Sequence, residues 1–134
     1  MRQLLKHVLS FQDVDWWVLA GGIALNLGIA LLATILGAYL AIAPHTAEQY
    51  ALMGPPVMLL AVFLASLGAG ALIARMAYQV PLRHAFIGSI GGAGAFIVGA
   101  VVSLNYMLLI LALVCILGNL NGAILGLPKP HYRG

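Results

Sequence analysis

Imidazole, thiol, carboxylate and carboxamide side chains are the groups in this sequence that could ligate a metal, relay a proton or bind a solute, and they are few. His7, His45, His84 and His131 are candidate haem or metal ligands, since imidazole is the commonest metal ligand. Cys115 is the only thiol, so neither a disulfide nor a CxxC redox pair can form, and thiol-oxidase chemistry is excluded. The acids are Asp13, Asp15 and Glu48, and the carboxamides inside long apolar runs are Asn26, Asn119 and Asn121. What these groups can do depends on the elements that hold them.

Those elements follow from charge. Nine ionised side chains stand in 134 residues: Arg2, Lys6, Asp13, Asp15, Glu48, Arg75, Arg83, Lys129 and Arg133. Between them lie charge-free stretches at 16 to 47, 49 to 74 and 84 to 128. A helix crosses the hydrocarbon with about 20 apolar residues, so the first two stretches hold one span each and the third holds two. The expected fold is all-α, a single domain with four transmembrane helices at roughly 16–42, 57–77, 82–102 and 107–127. A short interfacial helix over residues 1 to 15 is expected to precede them. Asp15 can cap the first span while Trp16 and Trp17 sit at headgroup level. Pro55-Pro56 is expected at the start of the second helix, after a polar turn from Ala43 to Met53. The long third stretch must reverse at Ser103-Leu104-Asn105-Tyr106, its one cluster of turn residues.

All six cations map to one side of such a bundle and none to the two opposite loops, which predicts cytoplasmic N and C termini. The run ending in Ala41-Ile42-Ala43 is too long for a signal peptide and is followed by Pro44, so it is expected to remain as the first helix. Six scattered cations make no nucleic-acid surface.

Placed on this frame, the chemical groups lose most of their options. His7, His84 and His131 fall on the cytoplasmic side and His45 on the other, so no pair shares a depth suited to bis-histidine haem. A cytoplasmic metal site from His7, His84 and His131 with Asp13 or Asp15 has no recognised ligand spacing. No metal and no cofactor is therefore expected. Intramembrane ionisable residues mark ion and proton pathways, and none lies mid-span. That absence argues against proton-coupled transport and separates the chain from small four-helix multidrug exporters, which embed a Glu in their first helix. The small fluoride channels are set apart by the one-sided charge distribution. Asn26 lies about 15 Å along the first span and Asn119 about 10 Å from the end of the fourth, so an amide bond between them is expected. Arg75 and Arg83, with Trp16 and Trp17, are expected to anchor the topology and meet lipid headgroups.

The strongest pattern is small residues at helical spacing. Gly118, Gly122 and Gly126 recur every four residues, Gly88, Gly92 and Gly99 line one face of the third span, and Gly22, Asn26, Ala30, Thr34 and Ala38 mark the first. Such faces let backbones approach, which is how helices associate in lipid. They are expected to hold the bundle together or to meet a partner.

The segment Gly68-Ala69-Gly70-Ala71-Leu72-Ile73-Ala74-Arg75, with Arg83-His84-Ala85 and Gly88, resembles an uncharacterised class of small bacterial four-helix membrane proteins. In that class a glycine-rich second helix ends in a basic turn followed by His-Gly or His-Ala and another glycine-rich helix. The resemblance implies the same topology and no activity. With no catalytic constellation, the sequence leads to a non-enzymatic accessory subunit of a larger complex in a bacterial inner membrane, an electron-transfer or photosynthetic complex being one candidate. Its partners would be larger integral membrane subunits and lipids. The alternative is a small homo-oligomeric transporter or channel with a pore lined by Asn26, Thr34, Asn119 and Asn121.

Overall fold

A computed structural model describes residues 14–42, 47–77 and 80–127. The interfacial helix expected before residue 14, together with His7, His45 and His131, lies outside the described residues. The described residues form four helices: α1 (Trp16–Ile42), α2 (Ala47–Met76), α3 (Pro81–Ser103) and α4 (Met107–Gly126). All four are long and apolar enough to cross a membrane, α2 through its residues Ala51–Met76.

Local chemistry sets the helix ends. Oδ1 of Asp15 accepts the N–H groups of Trp17 (3.0 Å) and Val18 (3.3 Å), satisfying two of the donors that open α1. Pro81 occupies the first turn of α3, where its missing N–H costs nothing. Among the described residues two non-glycine positions are left-handed, Val80 (φ 44°) just before α3 and Leu104 (φ 54°) just after it. A β-branched residue resists that conformation, and Val80 is held there by hydrogen bonds to its carbonyl from the N–H groups of Arg83 (3.1 Å) and His84 (3.2 Å).

The second helix begins ten residues earlier than the sequence suggests. Pro55 and Pro56 lie inside it, not at its start. Residues 47 to 54 add two turns ahead of them, with Glu48 in the first turn, where a negative charge meets the positive end of the helix dipole. The two prolines leave the carbonyls of Ala51 and Leu52 without their usual partners, a loss confined to one end of the span.

Packing is not in chain order. α2 lies most extensively against α4, α1 against α3, and α3 against α4, while α1 and α2 touch less. Glycine makes the closest approaches. A Cβ on Gly122 would fall on the Leu67 carbonyl, one on Gly70 on the Asn119 carbonyl, and one on Gly126 would stand 2.6 Å from the Ala71 oxygen. Gly118 faces Ser66 in the same α2–α4 seam. In the α1–α3 seam Gly88 meets Gly22 and Ile73, Gly91 meets the Ile23 carbonyl, and Gly92 meets the Asn26 carbonyl and the Cys115 sulfur. Gly99 faces Leu108. The six glycines marked in the sequence as packing or partner contacts thus all pack within the chain.

Candidate functional site

Halfway along the bundle, each helix contributes a small polar side chain to one buried layer: Asn26 from α1, Ser66 from α2, Ser89 from α3, and Cys115 and Asn119 from α4, all 0% exposed. Its centre is a reciprocal amide pair. Nδ2 of Asn119 donates to Oδ1 of Asn26 (2.7 Å), and Nδ2 of Asn26 donates to Oδ1 of Asn119 (3.1 Å). Each amide turns its remaining hydrogen to its own helix, Asn26 to the Gly22 carbonyl (2.9 Å) and Asn119 to the Cys115 carbonyl (2.8 Å). Ser89 likewise bonds the Phe86 carbonyl (2.6 Å), and the Cys115 thiol lies 3.7 Å from Oδ1 of Asn26. Every amide hydrogen is therefore committed within the protein, so the pair has no donor left for a passing solute.

Asn121 is not part of this layer. It is exposed and donates to the Leu117 carbonyl (2.8 Å), because two residues of α-helix turn it some 200° away from Asn119. Thr34 bonds the Ala30 carbonyl (2.9 Å) and sits beyond the layer, towards the Tyr106 end. The four residues proposed to line a pore do not converge on one.

Ser66 is the exception to full satisfaction. Its Oγ is buried with only the Cys115 thiol, a weak hydrogen-bonding group, to turn to. A buried hydroxyl whose one polar neighbour is a thiol gains little from it, so Ser66→Ala is expected to change stability by no more than about 1 kcal/mol in a denaturant titration. A loss of more than that would mean the hydroxyl has a role beyond packing.

At the Trp16 end a second buried polar group contradicts expectation. Arg83 and His84 are 3% and 1% exposed, although the sequence predicts headgroup contact for Arg83 and His84 stands next to it in the basic turn. The N-terminus of α1 covers the first turn of α3: Nε2 of His84 accepts the Asp15 N–H (2.9 Å), and Nδ1 lies 3.1 Å from the Val80 carbonyl. These two bonds define the Nδ1–H tautomer and tie the α2–α3 connection to the start of α1. Arg83 is itself engaged within the protein. Arg75, Trp16 and Trp17 are exposed, in positions suited to an interface. Among the described residues no three His, Cys, Asp or Glu side chains gather where they could hold a metal ion.

Above the polar layer, towards the Tyr106 end, the helices diverge around a cavity of about 670 Å³. All four contribute to its wall, including Ala30 and Gly37 of α1, Ala51 and Met58 of α2, Gly99 of α3 and Leu108 of α4. Phe96 and Leu111 line it as well and are almost fully buried. Each lies one helical turn from a residue of the polar layer or its contacts, Phe96 from Gly92 and Leu111 from Cys115, so together they floor the cavity. The cavity is therefore a blind vestibule ending above the amide pair. Sequence reasoning missed it, because a void reflects how far helices stand apart and no residue type encodes it. The run of small residues at Ala30, Ala33 and Gly37, facing Ala51 and Gly54, was the available signal.

No protein-family model matches the chain, and neither a curated protein nor a solved structure is significantly similar to it.

Proposed function

We propose that this chain is a non-catalytic accessory subunit of a larger membrane complex, multi-pass in a bacterial inner membrane with cytoplasmic termini. The observation that supports it is the outer face of α1. The buried residues of α1 are Leu19, Gly22, Asn26, Ala30 and Ala33. On the opposite face Ala20, Ala24 and Gly28 follow one another every four residues beside Gly21, and a Cβ on Gly21 or Gly28 would meet nothing within 4 Å. Large side chains such as Leu31, Leu32 and Ile35 cover the outward side of the same helix further along. Apart from Gly68 and Gly94, the glycines of α2, α3 and α4 meet the chain's own helices, whereas this stretch of several small residues on α1 is unopposed. In lipid such a stretch favours a closely packed neighbouring helix. A polar layer whose amide hydrogens are all committed and a blind vestibule fit a scaffold better than a conduction path, and the absence of ionisable groups from the mid-spans gives no proton relay. An electron-transfer or photosynthetic complex remains the candidate assembly.

Native purification through a tag at Gly134, with and without Ala24→Ile and Gly28→Leu, tests this. The unmodified chain is expected to co-purify with larger membrane subunits, and each variant to lose them by tenfold or more. Stability of the bundle itself should change by less than about 0.5 kcal/mol, since Ala24 is exposed and a Cβ at Gly28 would meet nothing within 4 Å. A homo-oligomer that purifies alone would refute the subunit reading in favour of the small transporter.

A further inference from the structure

We propose that the vestibule is a binding site for an uncharged amphiphile whose head carries carbonyl acceptors, the chemistry shared by an isoprenoid quinone and a neutral glyceride. Its volume of about 670 Å³ falls within the roughly 300–1,000 Å³ of small-molecule sites, and its lining is mostly apolar with few polar groups, as such sites are. Those polar groups gather towards the mouth. From Phe96 on the floor to Ser103 at the rim the α3 wall rises about 10 Å, and the α3–α4 turn adds Asn105 there.

The hydrogen bonds at the rim say what they can offer. Ser103 donates its hydroxyl to the Gly99 carbonyl (2.6 Å), and Oδ1 of Asn105 accepts the Met107 N–H (3.1 Å). Asn105 thus keeps the two hydrogens of Nδ2 as donors for a ligand carbonyl. Charge narrows the class further. Among the described residues no ionisable side chain lines the cavity, so neither a carboxylate nor an ammonium head would find a counter-charge there. Glu48 is exposed in the first turn of α2, at the same end of the bundle, where it opposes an anionic head. The body of the ligand would lie against Ala30, Gly37, Met58 and Gly99, reaching the Phe96–Leu111 floor. This site is separate from the outer face of α1 and does not depend on a partner.

Photo-crosslinking of the full chain in phosphatidylcholine nanodiscs tests the proposal with two diazirine probes of equal chain length, a monoacylglycerol and the free fatty acid. The monoacylglycerol is expected to label residues 95–111 at least fivefold more than the fatty acid does. Ala95→Phe, which fills the cavity, and Ala51→Trp, at its exposed mouth, should each reduce that label at least fivefold. Ala51→Trp guards against a folding failure of the first variant. Excess decyl-ubiquinone that suppresses the label identifies a quinone head, and its failure to do so identifies a glyceride. Label spread evenly over the outer helix faces, equal labelling by the fatty acid, or label unchanged in a folded Ala51→Trp variant would overturn the proposal.

Discussion

Gly122→Ile is expected to separate α2 from α4 and to destabilise the bundle by about 3 kcal/mol or more. The position has no room for even a methyl group, because a Cβ there would fall on the carbonyl of Leu67. Overpacking in a core usually costs about 1–3 kcal/mol, and the lower values arise where a neighbouring side chain can swing aside. Here the obstacle is main chain, so a helix must move, and the contacts of Gly118, Gly126 and Gly70 in the same seam move with it. An SDS or urea unfolding titration measures the loss, with crosslinking between α2 and α4 at positions other than 122 reporting the seam itself. Gly68→Ala is the control: it points away from the seam with nothing within 4 Å and should shift stability by less than about 0.5 kcal/mol. Equal effects at the two glycines would refute the packing account of α4.

The second large effect concerns the amide pair. Asn119→Leu leaves Oδ1 of Asn26 and one of its N–H hydrogens buried without their amide partner, which should cost about 1–3 kcal/mol. Replacing both asparagines with leucine removes the stranded amide along with its partner, so the double variant is expected to be more stable than the sum of the single losses predicts. Measured interhelical hydrogen bonds in a membrane average about 0.6 kcal/mol and reach about 1.7, and the coupling energy of the double-mutant cycle should fall in that range. A coupling near zero would show that each amide is held by its own helix alone, through the Gly22 and Cys115 carbonyls.

Much of this architecture is legible in the sequence, for identifiable reasons. Charge is too costly to leave inside hydrocarbon, so its spacing exposes the spans, and 1.5 Å per residue is enough to bring Asn26 and Asn119 to one depth. Glycine spacing likewise reveals which helices have close-packing faces. It does not reveal which face meets which. That Gly122 sits on Leu67, or Gly92 on Asn26, depends on the pairing of α2 with α4 and α1 with α3. The Pro55-Pro56 pair misleads because proline marks a helix start only when nothing helical precedes it. Arg83 and His84 mislead for another reason. A basic turn is ordinarily wet, and only the overlap of Asp15 with the start of α3 buries this one. Ser66, Ser89 and Cys115 leave no trace in the sequence as a layer, because small polar residues usually bond their own helix.

The interleaved pairing of the helices also sets the order in which this chain can mature. During synthesis α1 and α2 emerge first, yet their principal partners are α3 and α4. Until the third span arrives, the α1 surface around Gly22 has only the Ile73 side chain of α2 beside it and lacks the Gly88 backbone, and Gly70 waits for the fourth span. The amide of Asn26 stays unmatched until Asn119, ninety-three residues later, enters the bilayer. Assembly is thus withheld until the last helix is delivered, and a nascent chain that stalls before α4 would present an unpaired carboxamide and open glycine grooves to the lipid, the features by which membrane quality control can tell an unfinished product from a finished one.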